Sequence, residues 1–474
     1  MWLNIVLGVL VLAYVIVTIG SIVVIILENR QPIKTMAWVM VLLAFPVIGL
    51  AIFYFFGQDF RKERVITRKS LSLLTRKYLN THAPDAPRHI PEGYGRLIEY
   101  FKNENLAPPY AGNIERIYTS GKSFLEDLLK ALTSATRHIH LESYIFEDDN
   151  MGNAVRDALI AAAKRGVEVR LIYDDVGCWN VRKTFFDEME KAGIQVVAFL
   201  PVRFPRFTRK VNFRNHRKVC IVDGHTGFMG GMNIADRYLD EERWKDLHVK
   251  IQGSAVYGLQ QTFLLDWYFM TRILINDFTY YPEIPTDAVP NVTTPIQIVT
   301  SSPASRWPDI MNGYVWAIHN ARRYIFISTP YFMPTESILQ ALQMAATSGV
   351  DVRLMVTGKP ESQWIRWANE SYYSDVLEAG IRLYRYESGF HHSKYLVIDD
   401  ALTAIGSANM DFRSFENNFE VQAFIYDKKA ALKVKQDFLN DLQHCCLVKR
   451  DEWNKRSHKR RLKESFVRIF SPLF

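Results

Sequence analysis

The feature that most restricts how this chain can fold is a series of segments that occurs twice, about 180 residues apart. Arg137–Phe146 alternates apolar and polar residues like a strand, Met151–Arg165 has helical spacing, and Gly166–Ile172 reads as a second strand. The series returns as Arg323–Phe332, Glu336–Ser348 and Gly349–Met355, and Gly193–Val197 is echoed by Gly380–Tyr384. Strands alternating with helices predict α/β units, each with a parallel or mixed sheet covered by helices. The recurrence predicts a duplicated fold, with a first domain over 109–280 and a second over 296–448. The Pro-rich stretch Tyr281–Pro295 is the expected boundary.

Each copy closes on a similar passage. The first is Asn215-His-Arg-Lys-Val-Cys-Ile-Val-Asp223, continuing to Gly230-Gly-Met-Asn233. The second is His391-His-Ser-Lys-Tyr-Leu-Val-Ile-Asp399, continuing to Gly406-Ser-Ala-Asn409. His and Lys two apart on a strand project from the same face, so His216 with Lys218, and His392 with Lys394, are expected to share a pocket. His391 belongs to the opposite face. A lone His-x-Lys is usually structural. Two copies in one register, with matching Gly and Asn offsets, argue for a single site assembled across the duplication.

That constellation suits phosphoryl chemistry. A phosphodiester under attack gathers negative charge, which two lysines and the amides of Asn233 and Asn409 can stabilise without a metal. One imidazole can attack phosphorus while the other protonates the departing alkoxide, their roles then reversing. Ser407 stands where the first copy has Gly231, so unequal hydroxyl contacts to phosphate are expected of the two halves. Such histidines need orienting partners, and Asp246 and Glu420, 30 and 28 residues after His216 and His392, are the candidates. Asp223 and Asp399 complete the motifs; at strand ends they are expected to brace a turn or backbone rather than touch substrate.

Two further runs constrain location. Trp2–Leu27 and Met36–Phe56 carry no charge, and each is long enough to cross a ~30 Å hydrocarbon core as helix. The connector Glu28–Lys34 contains Pro32, so a hairpin of helices over 3–27 and 36–56 is expected. A cleaved signal peptide fits poorly, since no basic segment precedes the first run and a second run comes at once after it. Arg61, Lys62, Arg64, Arg68, Lys69, Arg76 and Lys77 outnumber Arg30 and Lys34, which predicts cytoplasmic placement of the rest of the chain. Residues 59–108 read as a basic linker.

The net charge of +8 suits an anionic partner. Arg203, Arg206, Arg209, Lys210 and Arg214 interleave with Phe204, Phe207 and Phe213, a mixture suited to lipid headgroups or to single-stranded nucleic acid. The apolar hairpin favours lipid and argues against nucleic acid. Lys449–Lys463 holds eight Lys/Arg against two acids and precedes Phe466, Val467, Ile469, Phe470 and Leu473; residues 449–474 are expected to form a basic membrane-proximal tail. The four cysteines, Cys178, Cys220, Cys445 and Cys446, have no metal-site or disulfide spacing and read as reduced thiols.

Taken together, the paired motifs resemble the phospholipase D superfamily, marked by His-x-Lys-x₄-Asp-x₆-Gly-[Gly/Ser]-x-Asn found twice. The hairpin reading Asn29-Arg-Gln-Pro-Ile-Lys-Thr-Met-Ala-Trp38 with Pro46 and Gly57, the passage Asn409–Ser414 leading to Asn418-Phe-Glu420, and the ending Phe470-Ser-Pro-Leu-Phe474 resemble the bacterial cardiolipin synthases within it. The resemblance implies two tandem phospholipase D-like α/β/α sandwich domains behind a two-helix transmembrane hairpin in the bacterial cytoplasmic membrane. It implies transfer of a phosphatidyl group between two phosphatidylglycerol molecules, with no metal or other cofactor, and His216 as nucleophile with His392 as acid and then base. A hydrolytic phospholipase D or a phosphatidylserine-forming enzyme shares the same motifs. A non-catalytic lipid-binding scaffold would be expected to show a degenerate motif, and both are intact.

Overall fold

An unbroken run of apolar side chains satisfies its backbone best as helix, and Trp2–Leu27 forms one (α1), long enough to span a hydrocarbon core. The second run departs from the single helix expected over 36–56. In the computed structural model it forms α2 (Pro32–Ala44) and α3 (Ile48–Phe56), interrupted between them. Pro46 has no N–H to donate and disfavours helical geometry at the residue before it. Val47 adopts a left-handed φ of +65°. Among the described residues, one helix is therefore long and apolar enough to cross a membrane; α2 and α3 are each too short alone. Ile25, Leu42 and Phe53 form a small cluster, with Trp38 edge-on to Phe53 at 5.4 Å.

The structure describes residues 2–27, 32–45, 47–56, 90–202, 212–275, 277–283 and 294–471. The connector 28–31, the basic run 61–77, Arg203–Lys210, most of the Pro-rich boundary and residues 472–474 lie outside them. The chain divides into two units, residues 1–63 with 202–213 and residues 64–201 with 214–474.

In the larger unit the first repeat supplies β1 (Tyr110–Tyr118), β2 (His138–Ser143), β3 (Glu168–Asp174), β4 (Gln195–Phe199), β5 (Lys218–Val222), β6 (Thr226–Gly230), β7 (Trp244–Lys245) and β8 (His248–Gln252). The second supplies β9 (Thr294–Ser301), β10 (Tyr324–Ser328), β11 (Phe332–Met333), β12 (Asp351–Thr357), β13 (Arg382–Tyr386), β14 (Phe390–His391), β15 (Tyr395–Ile398), β16 (Leu402–Gly406), β17 (Met410–Asp411), β18 (Glu420–Ile425) and β19 (Cys445–Leu447). Among the described residues, fifteen of these form one mixed sheet in the order β19-β13-β12-β10-β15-β16-β18-β9-β1-β8-β6-β5-β2-β3-β4. The two halves are images of each other about the antiparallel pair β1 and β9. The tandem domains are thus joined edge to edge, which leaves neither half with an open inner edge strand.

Alternation along β2 explains the layers. Ile139 and Leu141 enter a core with the helices Gly121–Ser134, Asn150–Lys164 and Lys183–Lys191, while His138 and His140 face the helix Val256–Thr271. In the second half Ile325 and Ile327 of β10 pack with Asp309–His319, Glu336–Thr347 and Tyr373–Glu378, and Phe326 stacks on Phe438 of Lys428–Asp441. The helix-to-strand turns repeat as well: Gly166 and Gly349 take φ of +89° and +97°, a conformation that favours glycine after a helix.

Two segments expected to be peripheral belong to this core. Leu97, Ile98 and Phe101, from the expected linker 59–108, are apolar at helical spacing and pack in the second half, where Phe101 meets Phe424 at 4.6 Å. The expected tail also docks there. Trp453 and Val467 are buried, and its arginines are partly spent inside the protein: Arg456 on Glu464 at 2.8 Å, Arg460 on Glu370 at 2.8 Å, and Arg468 on Asp375 at 2.8 Å. The outward face of the tail helix His458–Arg468 and its continuation presents Lys459, Leu462, Lys463, Phe466, Ile469 and Phe470.

Candidate active site

Short parallel pairings between the halves build the site. β7 of the first half pairs with β14 of the second, and Asn215 bridges to Phe419 in the same sense. The N–H of His216 donates to the Phe419 carbonyl at 2.9 Å, and that of His392 to the Lys245 carbonyl at 2.7 Å. Each histidine is therefore held beside the strand that carries the other half's acid. His216 Nδ1 lies 3.0 and 3.1 Å from the two carboxylate oxygens of Glu420, and His392 Nδ1 lies 2.6 Å from Asp246 Oδ2. The predicted acids are next to histidines, but crossed: each comes from the repeat opposite to the histidine it contacts. With Nδ1 engaged, Nε2 is the nitrogen left for chemistry.

Both imidazoles line one cavity of about 370 Å³ together with Tyr144, Asn233, Asn409, Arg237, Arg413 and Asn418. Asn233 Oδ1 accepts from the Ile145 N–H at 3.1 Å and its amide nitrogen donates to Tyr238 at 2.6 Å; Asn409 Oδ1 is buried with no partner among the described residues. The lysines stand lower than the motif suggested. Lys218 Nζ donates to its own His216 carbonyl at 2.6 Å and Lys394 likewise to that of His392, so both lie beneath the floor rather than in the lining.

Three other predicted residues lie outside the cavity lining. Asp223 and Asp399 bind backbone rather than facing the cavity: Asp223 accepts from the N–H groups of Thr136, Arg137 and His138 at 2.8–3.0 Å, and Asp399 from those of Arg322, Arg323 and Tyr324 at 2.6–2.9 Å. They tie the end of each motif strand to the start of β2 or β10. Ser407, expected to bind phosphate, is fully buried and its hydroxyl donates to Glu420. Its Oγ is turned to that carboxylate, and Ser407 is not part of the cavity lining.

Burial dominates the electrostatics. It pushes His216 down to about 4, with Lys218 adding to the effect and Glu420 opposing it. His392 is held well below its ordinary value by burial and by Lys394, Lys218 and His216. Lys394 is lowered to about 8 by burial. Burial raises Glu420, but His216, Lys218 and Ser407 outweigh it and bring the carboxyl to about 2; burial leaves Asp246 raised. Burial also holds Lys218 well below its ordinary value, so two neutral imidazoles share the site with two buried lysines whose charged form an incoming anion would favour.

Arg237 and Arg413 were not singled out from the sequence, although the signal was present. Each stands four residues after a motif asparagine, in Asn233-Ile-Ala-Asp-Arg237 and Asn409-Met-Asp-Phe-Arg413, and each lines the cavity.

The family described as "Cardiolipin synthase, PLD-like domain" matches residues 128–267 and 314–442, and "Phospholipase_D-nuclease N-terminal" matches 16–58. Cardiolipin synthase 2 of Bacillus cereus is 39% identical over 466 residues, covering 95% of this chain and 88% of that protein. The chain belongs to the cardiolipin synthase family. The major cardiolipin synthase ClsA of Bacillus subtilis is 38% identical, covering 96% of both chains. The crystal structure of Haemophilus influenzae phosphatidylserine synthase, at 14% identity, shares the fold with a TM-score of 0.60 over 80% of this chain and all of that one. This chain, with its tandem phospholipase D-like α/β domains, and that enzyme therefore share a fold.

Proposed function

We propose that this phosphatidyltransferase makes cardiolipin from two phosphatidylglycerol molecules through a phosphohistidine on His216. The observation that carries the reading is that two imidazoles face one cavity, each with Nδ1 tied to a buried carboxylate from the opposite half. In the first step His216 Nε2 attacks phosphorus, the bond to the departing glycerol oxygen breaks, and His392 supplies that oxygen's proton. In the second, the terminal hydroxyl of another phosphatidylglycerol gives its proton to His392 and attacks the same phosphorus. The N–P bond then breaks and His216 returns.

The unequal carboxylates support this direction. A phosphorylated imidazole with a proton on Nδ1 is cationic, and Glu420, held at about 2, stays ionised beside it. Asp246 is raised by burial and holds a charge on His392 less firmly, which suits a group that must give up and retake a proton. An incoming phosphate raises the pKa of His392 by its own charge, so His392 takes up a proton from water when substrate binds. Lys218 and Lys394 support the developing charge from below, and Asn233 and Asn409 stand in the lining. Asp223 and Asp399 are read as positioning residues.

The chain is associated with the membrane through its apolar amino-terminal region. A second crossing by α2 and α3 and cytoplasmic placement of the larger unit are our reading, supported by the excess of Arg and Lys over 61–77. The outward face of the tail helix, apolar with Lys459 and Lys463, is read as resting on an anionic leaflet.

The test is to supply purified protein with phosphatidylglycerol vesicles and measure cardiolipin, glycerol and phosphatidic acid. Cardiolipin and glycerol in equal amounts are expected. Phosphatidic acid as the main product would replace the transferase reading with a hydrolase.

A further inference from the structure

Two alcohols must pass through one place in this cycle. The departing glycerol takes a proton from His392 and the arriving hydroxyl gives one to it, so both occupy the His392 side of the cavity. A glycerol headgroup brings hydroxyls that need acceptors. The second lipid also brings a phosphate of its own, one glycerol away from the reacting phosphorus, which needs a cation.

Glu361 and Arg237 meet these two needs. Glu361 lines the cavity from the loop before the helix Gln363–Glu370, and the Tyr331 hydroxyl donates to its Oε2 at 3.1 Å. Among the described residues no cation pairs with it. A carboxylate without a counter-ion opposes bound phosphate, but its free oxygen accepts hydroxyl hydrogens well. Its field reaches Lys394, beneath His392. Arg237 acts on His392 itself and lies 5.5 Å over the ring of Trp244, which stands 5.5 Å from the His392 ring. Glu147 holds its Nη2; Nε and Nη1 have no other partner among the described residues, and the side chain is 37% exposed. Its counterpart Arg413 belongs to the other side, acting on Tyr144 beside His216.

We propose that Glu361 and Arg237 form the acceptor subsite, Glu361 receiving the glycerol hydroxyls and Arg237 the phosphate of the second lipid. The proposal rests on the transferase reading. It makes the cavity polar in a functional sense, with donor phosphate toward Tyr144, Arg413 and His216, and acceptor headgroup toward Tyr331, Glu361 and Arg237.

Three acceptors separate the two roles in the full-length protein with phosphatidylglycerol as donor: phosphatidylglycerol itself, deuterated glycerol read as labelled phosphatidylglycerol, and 1-butanol read as phosphatidylbutanol. Glu361→Ala is expected to lower transfer to the first two, relative to butanol, by about tenfold, the effect of one hydrogen bond to a charged group. Glu361→Gln should fall between. Arg237→Ala is expected to lower transfer to phosphatidylglycerol relative to glycerol by a similar factor, with Arg237→Lys partly restoring it. Equal losses for all three acceptors, or none, would overturn the proposal. An unaltered protein that forms phosphatidylbutanol but no cardiolipin would instead sink the cardiolipin-forming reading on which the proposal rests.

Discussion

The two histidines carry the same motif, but their surroundings differ. Glu420 is gripped by the Ser407 hydroxyl and lies 3.3 Å from the Asn418 amide nitrogen, and the guanidinium of buried Arg217 donates to its backbone carbonyl at 3.1 Å. Asp246 receives the Leu247 N–H at 2.7 Å and has Lys394 at 3.9 Å, while Gly231 stands where the other half has Ser407. A duplicated scaffold has thus kept its strands and histidines while making one carboxylate firmly anionic and the other less so. Equal motifs do not imply equal roles; on the proposed assignment the groups behind them divide the labour.

Loss of the histidines themselves disturbs this division most. His216→Ala and His392→Ala are each expected to lower steady-state turnover by about a thousandfold or more. They should differ in what accumulates. With donor labelled in its phosphate, His392→Ala retains slow formation of labelled protein, and His216→Ala forms none. Label on the His216→Ala protein would reverse the assignment.

Removing one carboxylate's charge is the next largest change. Glu420→Gln leaves the cationic phosphohistidine without its counter-ion and should slow intermediate formation about a hundredfold, whereas Asp246→Asn should cost about tenfold. Equal losses would mean that the difference in ionisation has no catalytic weight.

A titration separates the two histidines without altering either carboxylate. In the free protein His216 is expected to titrate near 4 and His392 below its ordinary value, so both are neutral at pH 7. An anion favours the charged imidazole, so inorganic phosphate should move the His392 midpoint upward. Carbon-13 spectra of labelled histidine, assigned with His392→Ala, would reveal an unmoved midpoint, which would remove His392 as the acid.

Much of this architecture is legible in the sequence because it depends on local order. The motif strands, their Gly and Asn offsets and the repeated strand–helix–strand series follow from alternation and spacing alone. The crossing of the acids does not, since Asp246 and Glu420 follow His216 and His392 by similar intervals in sequence. Only the pairings of β7 with β14 and of Asn215 with Phe419 bring each acid to the opposite histidine. Spacing puts Lys218 and Lys394 on the correct side of their strands but too near the surface, because it gives direction and not depth. Leu97–Phe101 and the tail helix look peripheral in sequence because charge near them masks apolar positions that tertiary packing uses.

The finest probe exchanges the small residues behind the carboxylates. A side chain at Gly231 would bring a Cβ within 2.1 Å of Asp246 Oδ1, so Gly231→Ser must displace that carboxylate, and a loss approaching that of Asp246→Asn is expected. Ser407→Gly removes the buried hydrogen bond to Glu420 together with the one that Ser407 Oγ accepts from the Val421 N–H at 3.0 Å, and creates no clash. A net hydrogen bond is worth about 1 kcal/mol, so about a fivefold slowing of intermediate formation is expected, with the acceptor step little changed. Because Ser407 acts through Glu420, its removal should have little further effect in a Glu420→Gln background. Additive losses in that double variant would mean that Ser407 touches the reacting phosphate after all, and the division of labour would have to be drawn through a different pair of residues.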